Sequence, residues 1–151
     1  MKKKNLLFIA LIGVLFVTGC NKTTKCSTTI DNGNYKVVSE YNITYDKNQN
    51  VVSIDTNEVV TSDDETILDY IESSVNSSFE KYKDLKYYNF NLKREKGKLS
   101  ETIKVNYSKL DIDKFIAIDN SVESMFSNGK LKYDTIINTY KALGITCEES
   151  K

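Results

Sequence analysis

The sequence predicts an α+β domain in which two β-hairpins form a mainly antiparallel four-stranded sheet packed against helices, in the order β-β-α-β-β-α-α. Residues 35–60 and 88–107 each alternate apolar and polar side chains around a central turn, which is the pattern of hairpins with one solvated face. Apolar residues elsewhere recur at steps of three and four, which is typical of amphipathic helices. Strand pairs that alternate with helices, without single-strand crossovers, favour the α+β class.

The first hairpin has strands over residues 35–45 and 51–60, joined by a turn at 46–50 (DKNQN). The turn resembles the start of a calcium-binding loop, but such a loop needs Gly at its sixth position and Glu at its twelfth. This chain has Val51 and Asn57 there, so we interpret the segment as a hairpin turn. The more apolar side of the two strands consists of Tyr35, Val37, Ser39, Tyr41, Ile43, Tyr45, Val52, Ile54, Thr56 and Val60.

The first helix begins after Thr61 and is expected to run to about Asp84. Ser62 and Glu65, three residues apart, match a capping box, and acidic residues in the first turn suit the helix dipole. The apolar stripe of this helix must be buried against the sheet, and it consists of Leu68, Ile71, Val75, Phe79 and Tyr82.

The second hairpin turns at Lys96-Gly97, and a short helix is expected near Leu110. Asn128-Gly129 is interpreted as a loop, and Gly144 as the C′ residue that ends the last helix. The apolar positions of the second hairpin are Tyr88, Phe90, Leu92, Leu99, Ile103, Val105 and Tyr107, and those of the last helix are Ile136, Ile137, Tyr140 and Leu143.

The first twenty residues predict export and a lipid anchor. Lys2 to Lys4 form a positive region, and the apolar run from Leu6 to Val17 is shorter than the roughly 20 residues that a transmembrane helix needs. The residues VTGC at 17–20 resemble the bacterial lipobox, with Val17 in place of the commoner Leu. This resemblance implies that Cys20 carries a diacylglycerol and that the signal peptide is cut between Gly19 and Cys20. The alternative is an ordinary signal peptide that ends near a cysteine.

These features predict a lipoprotein signal peptide over residues 1–19, a lipid-anchored polar tether over 20–33, a single α+β domain over 34–147 and a tail over 148–151. Two acyl chains suffice to hold a folded domain on a bilayer. We therefore expect the protein at the extracytoplasmic face of a bacterial cell membrane, with the membrane as its partner through the diacylglycerol on Cys20.

Cys26 and Cys147 are the cysteines that remain once Cys20 is lipidated. An even pair in an exported domain predicts a disulfide, and the alternative is two unpaired thiols. Two thiols in a chain without histidine fall short of a closed four-ligand site, so we expect no metal and no other cofactor.

The composition excludes several classes of function. The absence of histidine removes His-dependent triads and imidazole metal sites, and no phosphate-binding or nucleophile-elbow motif is present. Acidic residues outnumber basic ones by three once Lys2 to Lys4 are removed, so we expect no nucleic-acid partner. An acidic stretch could bind a cation weakly, but helix capping on a solvated face explains it better. Its members are Asp111, Asp113, Asp119 and Glu123.

Ten tyrosines and six phenylalanines raise the hypothesis of an aromatic platform for sugars or peptidoglycan. The alternative is a structural role, because Tyr and Phe form strands and most lie at apolar positions of the pattern. Tyr87 and Tyr88 are the candidate ligand-binding residues, since adjacent strand residues point to opposite faces and one of them is expected to be exposed.

Residues 30–146 resemble the YehR-like family of small bacterial lipoproteins, a domain of unknown function. The resemblance is carried by TIKVNYSKLDIDKF at 102–115 and TIINTYKALGI at 135–145, while the Cys26–Cys147 pair departs from the family pattern. It implies an α+β fold and an envelope location, but no activity and no functional residues. We therefore expect a non-enzymatic binding or interaction domain whose partner is an envelope protein or a small ligand. The alternative is an envelope enzyme or accessory subunit that uses carboxylate or Tyr side chains.

Overall fold

The structure, a computed structural model, describes residues 21–149, so Cys20 and the predicted signal peptide lie outside the described residues. Between the second and third helices the chain also forms a 3-10 helix, Asn120–Met125. The strands and α-helices, in chain order, are β1 (Lys22–Asp31), β2 (Lys36–Tyr45), β3 (Val51–Thr61), α1 (Glu65–Glu80), β4 (Tyr88–Glu95), β5 (Lys98–Asn106), α2 (Ile112–Ile118), β6 (Phe126–Ser127), β7 (Lys130–Leu131), α3 (Tyr133–Ala142) and β8 (Thr146–Glu149).

An antiparallel sheet of six strands, in the order β4-β5-β3-β2-β1-β8, forms the centre of the fold. The α+β class is confirmed, and the two predicted hairpins are present as β2–β3 and β4–β5. The predicted number of strands in this sheet, four, is wrong. Two further strands join it: β1, which precedes the first hairpin in the sequence, and β8, which follows the last helix.

The prediction of a polar tether over residues 20–33 also needs correction. Residues 22–31 form β1 and pair with the whole of β2. The strand is rich in Thr, a β-branched residue that favours strands. β1 has no apolar alternation that would predict a strand, because Cys26 is its only buried apolar residue. Its other buried side chain is Thr24, which forms a hydrogen bond with the Tyr133 hydroxyl at 2.8 Å.

The C-terminal boundary of the folded domain also differs from the predicted one. β8 extends through residue 149 and pairs with β1, so the folded region spans residues 22–149 rather than 34–147, and the predicted tail begins too early. Cys26 and Cys147 lie directly opposite each other on β1 and β8 and are joined by a disulfide, as the sequence predicts. The four-residue strand β8 is thereby fixed covalently to the edge that it occupies.

The start of α1 differs in detail from the predicted capping box. Asp64 is the N-cap and accepts a hydrogen bond from the Thr66 amide at 2.9 Å. Ser62 instead donates its hydroxyl to the Asn34 carbonyl, and the Glu65 carboxylate accepts from the Gly97 amide in the β4–β5 turn. These long-range bonds compete successfully with the local capping box. The helix ends at Glu80, and a turn replaces its predicted last residues.

The Asn128-Gly129 segment, predicted as a loop, is the turn of the small β6–β7 hairpin. Both residues have positive φ, +52° and +68°, which matches the preference for Asn-Gly in two-residue hairpin turns.

One face of the sheet carries the helices and the core. The largest buried cluster lies under α3 and the β6–β7 hairpin; a second joins α2 to the end of α1, and a third lies under the first half of α1. The opposite face carries no fully buried side chain, and Thr, Asn, Lys and Glu residues line it. Within residues 21–149, no helix is long and apolar enough to cross a membrane.

Candidate binding cleft

The structure separates the two tyrosines that the sequence singles out. Tyr88 is half-buried on the helix-covered face, where its ring stacks on Tyr82 at 4.7 Å between centroids. Tyr87 is 47 % exposed and lies in the turn before β4, with the Lys109 ammonium 5.7 Å from its ring centre. The expectation that one of the two is exposed therefore agrees with the structure, although Tyr87 precedes the strand.

Tyr88 belongs to a cleft of about 500 Å³ between the last turns of α1 and the outer strand β4. Volumes of this size are typical of ligand sites in proteins. The cleft is lined by Asn76, Phe79, Glu80, Tyr82 and Lys83 from α1 and the turn after it, and by Tyr88, Asn89 and Phe90 from β4.

Aromatic rings form the floor of the cleft, and they are stacked in pairs. Phe79 stacks on Phe90 at 4.4 Å between centroids with planes 10° apart, and Tyr82 stacks on Tyr88. Phe115 of α2 packs behind Tyr82 and Tyr88 at 5.7 and 6.2 Å. Each ring thus has one face stacked on its neighbour. An apolar side chain of a ligand could pack against the ring edges.

The rim of the cleft is polar. Asn76 is exposed and offers a side-chain amide with two N–H donors and one carbonyl acceptor, whereas Asn89 lies between Tyr88 and Phe90 on β4 and presents its side chain to the open face of the sheet. Lys83 forms an ion pair with Glu80 beside Asn76. An apolar floor with few polar groups at its rim can bind an amphipathic group and fix its orientation.

Asp119 holds the aromatic floor in position. Its carboxylate accepts hydrogen bonds from the Tyr82 hydroxyl at 2.8 Å and the Lys81 ammonium at 3.1 Å. Its other oxygen accepts from the backbone amide and hydroxyl of Ser121. The bonds from Ser121, Tyr82 and Lys81 hold the pKa of Asp119 well below its usual value. This contact fixes the end of α1 to the segment after α2.

The acidic stretch that contains Asp119 serves as predicted in helix capping. Asp111 caps α2 by accepting from the Lys114 amide at 3.0 Å, and Asp119 caps the 3-10 helix. Over residues 21–149, no group of three or more Cys, Asp and Glu side chains has an arrangement that could hold a metal ion.

The segment that resembles a calcium loop is a closed turn. The Asp46 carboxylate accepts from the amides of Asn48 and Asn50 at 2.8 and 2.9 Å, and from the Asn50 side chain at 3.1 Å. These bonds, led by the Asn50 amide, lower the pKa of Asp46. Its oxygens are directed at the turn's own backbone, which agrees with the interpretation as a hairpin turn.

A pair of glutamates on the helix-covered face of the sheet is not predicted by the sequence analysis. Glu58 of β3 and Glu101 of β5 are directly opposite each other and half-buried, and the Ser39 hydroxyl donates to Glu58 at 2.6 Å. Burial, and then the charge of Glu58, raise the pKa of Glu101 to about 7. The available signal was a charged residue at an apolar position of the alternation, since Glu101 lies between Leu99 and Ile103.

Comparison with known proteins gives a fold relationship. No family model matches the chain, and no curated protein matches its sequence. A solved structure of a protein from Streptococcus pneumoniae TIGR4 is similar, with 18 % identity, a TM-score of 0.54 and coverage of 98 % of both chains. The solved structure of the Escherichia coli YehR protein is also similar, with 12 % identity, a TM-score of 0.56 and coverage of 87 % of this chain and 95 % of that one.

These likenesses confirm the fold that the resemblance to YehR-like proteins implies. At such low identities they extend to the fold alone, so membership of a lipoprotein family stays a prediction. The chain has the architecture of YehR, and its cleft must be interpreted from its own residues.

Proposed function

We propose that this protein is a lipid-anchored domain at the extracytoplasmic face of a bacterial membrane, and that it binds a partner polypeptide without catalysing a reaction. The lipobox-like VTGC at 17–20 supports the anchor, and the Cys26–Cys147 disulfide fits an oxidising location outside the cytoplasm. Two acyl chains on Cys20 would give stable attachment to the bilayer.

The observation that carries the binding role is the cleft between α1 and β4. Its aromatic floor is apolar, its rim offers the exposed side-chain amide of Asn76, and it opens beside an outer strand of the sheet. An apolar side chain of a partner would bury surface against Phe79 and Phe90, while the partner's backbone would meet Asn76 at the rim. Aromatic pockets with polar rims are typical of the central contacts of protein interfaces.

The test fills the cleft without disturbing the core. Asn76 is exposed, so Asn76→Trp in the full-length protein places a ring over the floor and leaves the packing of α1 intact. The matched control is Asn138→Trp, at an exposed position of α3 that is not among the residues lining the cleft.

Chemical cross-linking in intact cells, followed by affinity purification, measures the fraction of protein joined to a partner. We expect Asn76→Trp to reduce that fraction at least about tenfold, equivalent to about 1.4 kcal/mol, and Asn138→Trp to leave it unchanged. Equal cross-linking of the two variants, or no cross-linked protein partner for the wild type, would contradict the proposal.

The Glu58–Glu101 pair favours the second candidate, an envelope enzyme that uses carboxylates. A carboxyl group with a pKa near 7 can act as a general acid or base at neutral pH. Neither glutamate lines the cleft, however, so this candidate lacks a shown place for substrate. If isolated envelopes released soluble fragments with the wild type but not with Glu101→Gln, the enzyme would be favoured over the binding domain.

A further inference from the structure

We propose that the free edge of β4 takes up an extended polypeptide segment as an additional strand, with one apolar side chain of that segment in the cleft. The inference rests on the proposed function, because it names the form in which the partner enters the same site. Such strand addition derives its affinity from main-chain hydrogen bonds and its specificity from pockets for alternate side chains.

The direction of the β4 backbone groups follows from its hairpin with β5. The connecting turn has two residues, so the pair that flanks it, Glu95 and Lys98, exchanges hydrogen bonds, and every second pair along the ladder does the same. The Asn106 amide donates to the Tyr87 carbonyl at 3.0 Å at the far end of the ladder, in the same phase.

Phe90 and Leu92 lie in the alternate phase, so their N–H and C=O groups point away from β5 and toward the outside of the sheet. Across residues 21–149, no other protein group forms a hydrogen bond with these outward main-chain groups. An incoming strand can therefore pair with two consecutive sets of donors and acceptors.

The other edge of the sheet shows how such groups can be protected. β8 is only four residues long and is fixed to β1 by a disulfide. β4 has eight residues in continuous register with β5, with no bulge and no proline. Natural sheets block pairing at an edge with short strands, bulges, prolines or charged side chains. β4 has none of the first three, and its charged residues, Lys93, Arg94 and Glu95, are confined to its last three positions, beyond Phe90 and Leu92.

The side chains of β4 define what an incoming strand must carry. Directly opposed residues of antiparallel strands share a face, so the residue opposite Phe90 lies on the helix-covered face beside Phe79 and the cleft. Its neighbours in sequence lie on the open face beside Asn89 and Asn91. The matching segment has apolar residues at alternate positions and polar residues between them.

A single extended segment fits this edge better than a second copy of the chain. A second copy paired through β4 would bring its own α1 to the same face of the joined sheet. The side of α1 and of the turn after it that would meet this copy is polar, with Asn76, Glu80 and Lys83 at the cleft. An extended segment brings no helix and leaves these groups solvated.

The test uses a capped peptide, Thr-Val-Thr-Phe-Thr-Val-Thr-Lys, and hydrogen exchange of the full-length mature protein in detergent micelles, measured by residue-resolved mass spectrometry. The matched control is the same peptide with N-methyl groups on both Val residues and Phe, which removes its donors toward β4. At a peptide concentration ten times its Kd, we expect exchange of the Phe90 and Leu92 amides to slow about tenfold. The amides of Asn89 and Asn91, already bonded to β5, should change little.

The N-methylated peptide should give no such protection. Equal protection by both peptides, an absence of protection at millimolar peptide, or protection that appears on raising the protein concentration alone would overturn the inference. The last result would indicate pairing between two copies. Binding that Asn76→Trp weakens, but that leaves Phe90 and Leu92 unprotected, would overturn strand addition and leave the proposed function intact.

Discussion

Glu58 and Glu101 lie directly opposite each other on β3 and β5, on the face of the sheet that the helices cover. The Ser39 hydroxyl donates a 2.6 Å hydrogen bond to the Glu58 side chain. The pKa of Glu101 is raised, because burial and the neighbouring charge both disfavour its ionised form.

The pair predicts that the domain is less stable at pH 8 than at pH 5. The pKa of Glu101 is about 7 in the folded protein against 4.5 for the unfolded chain, so the folded state binds more protons between these values. Stability is therefore greatest below the unfolded pKa and falls as the pH rises through 7, by at most about 3 kcal/mol. Urea unfolding at pH 5, 6, 7 and 8 measures it.

The control for that prediction is Glu101→Gln, which keeps the shape of the side chain but does not titrate. We expect it to remove most of the slope and to be more stable than the wild type at pH 8. The chain contains no histidine, so no imidazole titrates in the same range. An unchanged slope in Glu101→Gln would show that the pair is not the cause.

Arg94 predicts a second stability effect, on the docking of α1. Its side chain is 20 % exposed, and its guanidinium pairs with three carboxylates of the helix, those of Glu65, Asp69 and Glu72. We expect Arg94→Met, which retains the apolar stem, to lower the free energy of unfolding measurably, because it removes three ion pairs to one helix at once. Lys93→Met is the matched control, because its pair with Glu95 is exposed and should contribute little. Equal losses would refute a specific role for Arg94.

The disulfide predicts a larger change. Cys26 and Cys147 are separated by 121 positions, and closing so long a loop in the unfolded chain stabilises the native state by about 4–5 kcal/mol at most. We expect reduction, or Cys26→Ser with Cys147→Ser, to lower unfolding stability and to speed hydrogen exchange in β8 more than in β2. Unfolding curves with and without reductant test this, and coincident curves would contradict it.

The backbone conformation of Tyr87 predicts that glycine at this position would stabilise the fold relative to alanine. Its φ is +67°, a conformation that costs energy for residues with a Cβ atom and suits glycine. Tyr87→Gly and Tyr87→Ala both remove the exposed ring, but we expect the Gly variant to be more stable by about 1 kcal/mol. Thermal unfolding of the two variants measures the difference. If Ala were as stable as Gly, the turn would not impose this conformation.

The sequence predicts those parts of the fold that have strong periodicity. β2, β3, α1 and the β4–β5 hairpin all bury a regular set of apolar side chains, and each is present. β1 is not predicted from the sequence. Its buried residue Thr24 is polar and forms a hydrogen bond with the distant Tyr133, and no local pattern indicates this contact. β8 is too short for a periodic signal, and only the pairing of Cys147 indicates that the end of the chain is held.

The candidate site is less predictable than the fold. Tyr88 is found because it stands next to another tyrosine, but the cleft also needs Asn76 and Phe79 on α1. Which residues of a helix face an outer strand depends on where the helix packs, and that is a tertiary property. Glu101 likewise appears as one polar residue in a strand until β3 places Glu58 opposite it.

The most direct test of the account is intact mass spectrometry of the mature protein extracted from bacterial membranes with detergent. We expect a chain that begins at Cys20, carries a diacylglycerol, and gains the mass of two hydrogen atoms on reduction of the Cys26–Cys147 bond. A soluble chain that begins at another residue and carries no lipid would contradict the proposed anchor, and with it the role as a membrane-bound receptor for a partner strand.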